Sequence, residues 1–317
     1  MKNIVITGGL GFIGTNLAGF LDRSGYNVVL LDNLSASSSY NIESLAGFKR
    51  VQIDVRDETS LTKAFYDIDV VVHLAAAGNV VDSVQDPNAN FSTNVIGTLS
   101  VLNAARENKV ARVIFASTGG AIMGNAPPPV SERSLPAPIS PYGASKLAGE
   151  AYCRAFSQSY GIEVVALRFA NVYGPFSWHK KGAVTNFIKS AITSQPLVIY
   201  GDGLSTRDYL YVEDLCKGIE KAINHGLCGF ELFHLATGLE VRVCDLAKFV
   251  CELAGATEQS ILFKDSRVGE IERNFANPEK ALKQLGFTPS VSLREGLQRT
   301  VEWFKQVRMS DCNIPGS

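Results

Sequence analysis

Side chains that could take part in a proton transfer lie near the middle of the chain. Tyr142 and Lys146 follow Pro141 four residues apart, a spacing that places a phenol and an ammonium on one face of a predicted helix. A free tyrosine ionises at about pH 10, so it is a useful base at neutral pH only when nearby positive charge favours the phenolate. Upstream, Ser117 and Thr118 end a predicted strand, and either hydroxyl could bind the same substrate oxygen. The alternatives are an exposed helical pair and a Ser/Thr turn.

A glycine-rich turn follows the first predicted strand, Asn3–Thr7. Gly8 permits a tight turn, Gly11 lets the backbone approach a pyrophosphate, and Gly14 lets the next helix pack closely on the strand. The N-terminus of that helix offers free N–H groups and partial positive charge to phosphates. Asp32 ends the second predicted strand, where a carboxylate accepts hydrogen bonds from both ribose hydroxyls and repels a 2′-phosphate. The segment therefore predicts NAD, rather than NADP, as cofactor.

Short β-branched runs alternate with helical patterns in the N-terminal half, which predicts a parallel α/β sheet with crossover helices. The predicted strands are Asn3–Thr7, Asn27–Leu31, Arg50–Asp54, Val70–His73, Arg112–Ala116 and Glu163–Arg168. Helices are predicted to begin near Phe12, Glu58, Pro87 and Tyr142. Two of them, roughly Pro87–Asn108 and Tyr142–Tyr160, are long, as helices at a dimer interface often are.

The pattern changes after Gly174, where elements become shorter and less regular. We expect residues 1–174, with a returning segment at about 204–237, to form the nucleotide-binding domain. Residues 175–203 and 238–308 are expected to form a smaller α/β substrate domain, and 309–317 a loose tail.

Composition excludes several classes of partner. The formal net charge of −1 provides no field for gathering nucleic acid or anionic membrane. No apolar run is long enough for a signal peptide or a membrane span. The six cysteines show no CxxC spacing, so neither a metal site nor a disulfide framework is expected, and a reducing cytoplasm is the simplest location.

Further motifs extend the pattern along the chain: residues 73–76 (HLAA), 94–98 (NVIGT), 167–175 (LRFANVYGP) and 207–214 (RDYLYVED). Together with the glycine turn and the Tyr142/Lys146 pair, these resemble the extended short-chain dehydrogenases/reductases of the NAD-dependent sugar epimerase/dehydratase group. The resemblance covers nearly all of residues 1–305. It implies a Rossmann-type doubly wound parallel sheet, NAD as cofactor, a UDP-sugar as substrate and a homodimer.

The resemblance also implies roles for single residues around the cofactor. Lys146 would bind the nicotinamide ribose, Tyr142 would take a proton from a sugar hydroxyl, and Thr118 matches the family's catalytic hydroxyl better than Ser117 does. The remaining cofactor residues would be Phe12 and Ile13 of the glycine turn; Asp32, Asn33, Ser35 and Ser37 at the adenosine ribose; Asp54 and Val55 at the adenine; and Leu74, Ala75, Ala76, Asn94 and Phe169 along the dinucleotide.

On the substrate side, the resemblance places Asn171 and Arg207 on the diphosphate and Asn274 at the position that sets the size of the sugar pocket. Its other implied substrate contacts are Val184, Val198, Tyr200, Tyr209, Arg267 and Glu270. A guanidinium suits phosphate and a carboxylate suits vicinal hydroxyls, in agreement with these roles. For a single arginine in isolation, a surface salt bridge is the alternative.

The two residues after Thr118 restrict which of the family's reactions this chain could catalyse. The family's 4,6-dehydratases carry an Asp-Glu pair there, and its decarboxylases carry a glutamate in this loop, whereas Gly119 and Gly120 cannot transfer protons. Asp32 disfavours an NADP-dependent ketosugar reductase. The resemblance thus implies 4-epimerisation of UDP-glucose/galactose or UDP-GlcNAc/GalNAc through a 4-keto sugar.

Several alternatives stay open. They are a UDP-uronate 4-epimerase, a nucleotide-sugar dehydratase, decarboxylase or reductase, and a non-catalytic NAD- or nucleotide-sensing protein on the same fold. Lys180 and Lys181 could meet a uronate carboxylate, or belong to a solvated charged loop.

Overall fold

The computed structural model describes residues 1–226, 228–257, 260–266 and 271–311. The strands in these ranges are β1 (Asn3–Thr7), β2 (Asn27–Asp32), β3 (Lys49–Gln52), β4 (Val70–His73), β5 (Arg112–Thr118), β6 (Glu163–Phe169), β7 (Asn171–Tyr173), β8 (Leu197–Tyr200), β9 (Thr206–Arg207), β10 (Tyr209–Tyr211), β11 (Phe230–Leu235), β12 (Val241–Arg242), β13 (Ile261–Lys264) and β14 (Arg273–Asn274).

The helices in the same ranges are α1 (Phe12–Arg23), α2 (Ser39–Ser44), α3 (Glu58–Ala64), α4 (Val80–Gln85), α5 (Pro87–Phe91), α6 (Gly97–Glu107), α7 (Pro141–Tyr160), α8 (Ala183–Ile192), α9 (Val212–Ile223), α10 (Val243–Ala254) and α11 (Leu293–Asp311). Two π-helical segments, Ser92–Ile96 and Ala281–Leu285, accompany them.

Seven of the described strands form one parallel sheet in the order β11-β6-β5-β4-β1-β2-β3. The chain leaves β1 toward β2 and β3 on one side, then returns to add β4 on the other side. This reversal leaves a crevice at the carboxyl ends of β1 and β4, where ligands of open α/β sheets bind. The predicted Rossmann-type doubly wound fold is confirmed.

Both faces of the sheet are covered, as its continuously apolar strands require. Alternation along β4 sends Val70 and Val72 into the apolar cluster on one face and Val71 into the cluster on the other. The neighbouring strand β5 divides in the same way, with Ile114 on the first face and Phe115 on the second. The sheet therefore gives the crevice a rigid floor.

Strand ends differ from the prediction where a neighbouring strand decides them. The strand predicted over Arg50–Asp54 is Lys49–Gln52, because the chain turns at Asp54, whose carbonyl accepts the N–H of Asp57 at 2.9 Å. Strands β2 and β6 each run one residue further than predicted, and β5 runs two residues further, to Thr118. The extension of β5 follows from its pairing with Arg168 and Phe169 of β6.

The two long helices form near their predicted bounds, with one irregularity. The helix at 87–108 contains the π-helical turn Ser92–Ile96, an insertion that is frequent at functional sites. The second helix, α7, begins at Pro141, and the hydroxyl of Ser140 accepts the N–H of Gly143 at 3.1 Å as its N-cap. Gly161, in the left-handed conformation, ends it.

The later part of the chain builds a third apolar cluster from α8, β8, α10 and α11. Beside it, β12, β9 and β14 form a small sheet, whereas β11 returns to the large sheet. Helix α11 continues to Asp311, so the predicted tail at 309–317 is wrong for its first three residues, and 312–317 lie outside the described ranges. The division into two domains stays a prediction.

Candidate active site

The glycine turn is packed too closely for side chains at Gly8 and Gly14. A Cβ on Gly8, whose φ is +68°, would lie 2.7 Å from the backbone nitrogen of Ala75, and one on Gly14 would lie 2.4 Å from the carbonyl oxygen of Gly8. The turn can therefore bring its backbone next to the crevice only because these positions are glycine.

The first turn of α1 fits a pyrophosphate. Its N-cap is Gly11, and no side chain caps the helix. A helix start without a side-chain cap leaves N–H groups for an outside acceptor, and its partial positive charge favours an anion. Phe12 is buried and Ile13 is partly buried against the core, so both fix the helix in the sheet crevice.

Asp32 ends β2 beside this turn and organises it. Its Oδ2 accepts the N–H of Leu10 at 3.0 Å, and its Oδ1 accepts the N–H of Leu34 at 2.8 Å and the hydroxyl of Ser37 at 3.1 Å. The carboxylate thus links the pyrophosphate turn to the loop after β2. This position at the end of β2 suits the ribose hydroxyls of NAD.

The residues predicted to bind the adenosine of the cofactor lie together next to Asp32. Asn33 donates from Nδ2 to Asp54 Oδ2 at 3.0 Å, while its Oδ1 accepts from the hydroxyl of Ser35 at 2.7 Å. The guanidinium of Arg56 pairs with Asp54 at 2.7 Å and holds the pKa of that carboxyl well below its usual range. Val55 is buried, with a side-chain carbon 2.7 Å from the place a Cβ on Gly97 would take.

The π-helical turn places Asn94 at the crevice, where it fixes the loop after β4. Its Oδ1 accepts the N–H of Ala77 at 2.8 Å, and its Nδ2 donates to the carbonyl of Ala77 at 3.2 Å and to the hydroxyl of Ser145 at 2.9 Å. The same loop begins with Leu74, whose N–H donates to the carbonyl of Thr7 at 3.1 Å, and continues through Ala75 and Ala76. Asn94 therefore joins this loop to helix α7.

Thr118 and Tyr142 meet at the carboxyl end of β5. The Thr118 side chain lies near the Tyr142 phenol, and its interaction with the phenol opposes the rise in the phenol's pKa. Burial nevertheless raises the pKa of Tyr142 to about 12. The side chains of this site alone thus hold Tyr142 protonated at neutral pH, and the expected lowering by Lys146 is not found.

Ser117, the competing hydroxyl, faces the other way. It is buried, and its Oγ donates to Oε1 of Glu150 at 2.6 Å. Glu150 also forms a buried bidentate ion pair with Arg168, with N–O distances of 2.8 and 2.7 Å. Alternation along β5 therefore places Thr118 beside Tyr142 and Ser117 in the core of the sheet.

Lys146 lies one turn after Tyr142 on α7 and is 4% exposed. Its Nζ donates to the carbonyl of Ala116 at 2.8 Å and lies 5.0 Å from the centre of the Phe115 ring. Burial lowers the pKa of Lys146 to about 8, and the nearby Glu150 carboxylate opposes this shift. The ammonium is thus held at the crevice at a cost to folding.

We expect Lys146→Met to stabilise the protein at pH 7 by about 1–3 kcal/mol, since it removes a desolvation penalty and methionine packs well on aromatic rings. The folded protein releases this proton more readily than the unfolded chain. The penalty is therefore complete below about pH 8 and fades as the pH rises toward the ordinary lysine value of 10.5. Melting temperatures of both proteins between pH 7 and 10 check this. A variant that melts below wild type at pH 7 would contradict it.

Asn171, Arg207 and Asn274 are brought together by strand pairing at the mouth of the crevice. Asn274 of β14 pairs in register with Arg207 of β9, and Asn171 donates from Nδ2 to the carbonyl of Asp208 at 3.1 Å. The Asn274 amide covers Gly120, on which a Cβ would lie 2.7 Å from its Nδ2. Asn274 therefore borders the loop that carries Thr118.

The other residues predicted to bind the substrate do not form a single cluster. Val184 packs in the same buried cluster as Leu197 and Ile199, whereas Val198 and Tyr200 alternate to the opposite, partly exposed face of β8. Tyr209 is buried, and burial raises its pKa to about 12. Arg267 and Glu270 lie outside the described residues.

Sequence reasoning missed three supporting residues. The hydroxyl of Ser83 accepts the N–H of Tyr142 at 3.2 Å, Glu150 holds Ser117, and the Asp208 carboxylate fixes the substrate side. Of these three, only Glu150 could have been found from the local sequence, because it lies four residues after Lys146 on the same helical face. The other two act across 59 and 29 residues of chain, which no local pattern reveals.

Comparison with known proteins identifies relatives over nearly the whole chain. Residues 4–231 match the model of the NAD dependent epimerase/dehydratase family. A putative UDP-glucose 4-epimerase of Methanocaldococcus jannaschii is 38% identical over 95% of this chain and 98% of its own. A dTDP-glucose 4,6-dehydratase of Streptomyces niveus is 31% identical over 96% of this chain and 93% of its own.

Solved structures agree. The UDP-glucose 4-epimerase of Thermotoga maritima with UDP-glucose has a TM-score of 0.92 at 35% identity, covering 97% of this chain and all of that one (100%). The Thermus thermophilus UDP-glucose 4-epimerase with NAD reaches 0.89 at 34% identity, with 96% and 99% covered. The UDP-N-acetylglucosamine 4-epimerase of Methanobrevibacter ruminantium reaches 0.90 at 30% identity, also with 96% and 99% covered.

Proposed function

We propose that this chain, which belongs to the NAD-dependent epimerase/dehydratase family and uses NAD as its cofactor, interconverts the two 4-epimers of a UDP-sugar. The observation that carries the proposal is the site at the end of β5: Thr118 beside Tyr142, with Lys146 one helical turn on. Gly119 and Gly120 follow Thr118, and neither can act as the additional acid or base that elimination of water requires. Removal and return of one proton is the chemistry these groups can perform.

In the proposed mechanism, the residues of the chain handle the proton and the orientation. NAD, when bound on the glycine turn and Asp32, supplies a hydride acceptor and donor and a positive charge. Tyr142 removes the proton of the sugar 4-hydroxyl and later returns it, while Thr118 holds the same oxygen. Lys146 would bind the nicotinamide ribose, and the positive charge that favours the phenolate would come from the bound cofactor rather than from Lys146. Between the two proton transfers the 4-keto sugar turns over about its diphosphate link.

Such a turn requires a firmly held nucleotide and a permissive sugar pocket. We assign the diphosphate to Asn171 and Arg207, with Arg267 and Glu270 as further contacts to the phosphate and ribose. Val184, Val198, Tyr200 and Tyr209 are the proposed surroundings of the nucleobase. A guanidinium next to a strand-fixed amide is a suitable pair of donors for phosphate oxygens.

The sugar pocket is proposed to admit an N-acetyl group as well as a hydroxyl. The Asn274 amide packs against Gly120, and asparagine is smaller than tyrosine, which supports a pocket that accepts the larger group. UDP-GlcNAc/GalNAc and UDP-glucose/galactose are therefore both candidate substrate pairs. A uronate is the alternative substrate, with Lys180 or Lys181 near its carboxylate. Lys181 forms an exposed ion pair with Asp82 at 3.0 Å, which such a carboxylate would have to replace.

A panel of UDP-, dTDP- and GDP-sugars, followed by NMR and mass spectrometry, tests the proposal. We expect the 4-epimer of a UDP-sugar to form with no change in mass, because no atom leaves the substrate. Loss of water or of carbon dioxide would instead indicate a dehydratase or a decarboxylase. Binding of NAD and UDP without turnover of any sugar would support a sensing role.

We also propose a homodimer formed by the long helices, a cytoplasmic location, and the two-domain division predicted from the sequence. Large apolar side chains are exposed on these helices and beside them, namely Val84, Phe91, Ile96 and Tyr152. Surfaces of this kind are typical of subunit interfaces, and light scattering can decide the oligomeric state. In the described part of the chain, no helix is long and apolar enough to cross a membrane.

A further inference from the structure

Asp208 is a buried carboxylate at the joint between two small sheets. It occupies the one position between β9 and β10, directly after Arg207, and is 1% exposed. Strand β9 belongs to the sheet with β14, and β10 pairs with β7, the strand that begins with Asn171. Any movement of Asp208 would therefore displace both sheets.

The side chain of Asp208 ties this joint to two other segments. Its Oδ1 accepts the N–H of Thr237 at 3.0 Å and the Thr237 hydroxyl at 2.7 Å, and its Oδ2 accepts the N–H of Gly238 at 2.9 Å. The N–H of Ala276, two residues after Asn274, also lies near this carboxylate and favours its charged form. Among the described residues, every hydrogen-bond donor to the Asp208 carboxylate is neutral. The carboxylate is therefore held by hydrogen bonds and not by an ion pair.

The backbone of Asp208 forms further hydrogen bonds to the proposed binding residues. Its N–H donates to the carbonyl of Asn274 at 3.0 Å, and its carbonyl accepts both the N–H of Asn171 at 2.9 Å and the Nδ2 of Asn171 at 3.1 Å. One residue thus carries hydrogen bonds to the strands of Asn171 and Asn274 and adjoins Arg207. These are the residues assigned above to the diphosphate and the sugar.

We propose that Asp208 is a positioning residue that preorganises the binding site for the nucleoside diphosphate of the substrate. It does so by fixing Asn171, Arg207 and Asn274 relative to one another. The inference rests on the proposed function to the extent that these three residues bind the nucleotide sugar. Preorganised donors bind an anion more tightly, because less ordering is left to be done when the ligand arrives.

Asp208→Asn tests this with almost no change in shape. The amide offers one acceptor and two donors where the carboxylate has acceptors only, and backbone N–H groups face both of its oxygens. In either orientation of the new amide, its NH₂ group would face a backbone N–H that donates to Asp208 in the wild type. Two donors cannot form a hydrogen bond with each other, so one interaction is lost and replaced by repulsion. We expect the Kd for UDP, measured by calorimetry on the NAD-loaded protein, to rise by about tenfold to a hundredfold, as changes behind a ligand-binding residue do elsewhere. KM should rise with it, whereas kcat and NAD content should change little.

Asp214→Asn is the matched control. Asp214 is also 1% exposed and accepts two backbone N–H groups and one hydroxyl from Ser290 and Val291. It differs from Asp208 in one further donor, the ammonium of Lys217 at 3.1 Å, and none of these residues belongs to the proposed site. It should lower the melting temperature while leaving the Kd for UDP within about twofold of wild type. An equal loss of UDP affinity in this control would show a general effect of destabilisation and overturn the inference.

Two further outcomes separate the inference from the proposed function. Unchanged UDP binding by a folded Asp208→Asn protein would overturn the inference alone. Absence of UDP binding by the wild type would overturn the proposed function and the inference with it. If Asp208→Asn does not fold, Thr237→Val takes its place, because it removes the hydroxyl donor to Asp208 and keeps both backbone N–H donors. The exposed N–H of Leu239 loses its hydroxyl acceptor as well. A rise in Kd of about threefold is then expected, and an unchanged Kd would overturn the inference.

Discussion

Tyr142→Phe is expected to lower kcat for epimerisation by about 10²- to 10⁴-fold, the usual contribution of general acid–base catalysis. Phenylalanine keeps the ring in place and removes only the group that exchanges a proton with the sugar. Thr118 remains to bind the sugar oxygen but is a much weaker base, and the glycines after it have no side chain to substitute. NAD content and the Kd for UDP should stay at their wild-type values. Turnover is measured on the sugar that the panel identifies, with NAD released from denatured protein as the second readout.

Tyr152→Phe is the control for this variant. Tyr152 lies on the same helix, ten residues further on, and is 41% exposed. Loss of the Tyr152 hydroxyl should change neither kcat nor NAD content. Wild-type turnover by Tyr142→Phe would show that another group takes the proton, and the proposed mechanism would then be wrong.

Gly14→Ala is expected to abolish NAD retention and to destabilise the fold by about 3 kcal/mol or more, the upper range for overpacking. The added Cβ would lie 2.4 Å from the carbonyl oxygen of Gly8 and 2.7 Å from Gly9. These are backbone atoms of the turn itself, so α1 must move away from the sheet. The N–H groups at its start then lose their place over the crevice. NAD content after purification and the melting temperature measure both effects.

Gly19→Ala provides the matched control on the same helix. The nearest atom to its Cβ would be the end of the flexible Arg23 side chain, at 3.4 Å. Alanine in a helix interior is favoured over glycine by about 0.5–1 kcal/mol. This variant should keep NAD and melt at or slightly above the wild-type temperature. A Gly14→Ala protein with the wild-type NAD content would refute the close-approach argument.

The sequence predicted the parts of the fold whose causes are local. Strands β1 and β4 and the starts of α1, α3 and α5 have their predicted bounds, because a buried parallel strand is continuously apolar and helix starts carry recognisable residues. The strand predicted to reach Asp54 ends earlier, and β5 ends later. In both cases the partner strand or the following turn, and not the apolar run, decides the end.

The π-helical turn at Ser92–Ile96 had no local signal. Nothing in the residues of this segment distinguishes it from the α-helices that flank it. It places Asn94 where its amide binds Ala77 and Ser145, which lie 17 and 51 residues away. Only the folded chain brings such partners together, and the hydrogen bonds gained there compensate for the irregular turn.

The sequence by itself determined the chemical groups and their spacing over a few residues. Tyr142 and Lys146 lie one turn apart because helix geometry requires it, and the glycine turn stands between a strand and a helix because those elements are adjacent in the chain. The tertiary structure decided which groups meet. Thr118 rather than Ser117 faces Tyr142 because β5 continues along β6, and the raised pKa of the phenol is caused by its buried surroundings. Asn171, Arg207 and Asn274 converge through the pairing of short strands and the buried Asp208. Such contacts join residues far apart in the chain, so they exist only once the core has packed.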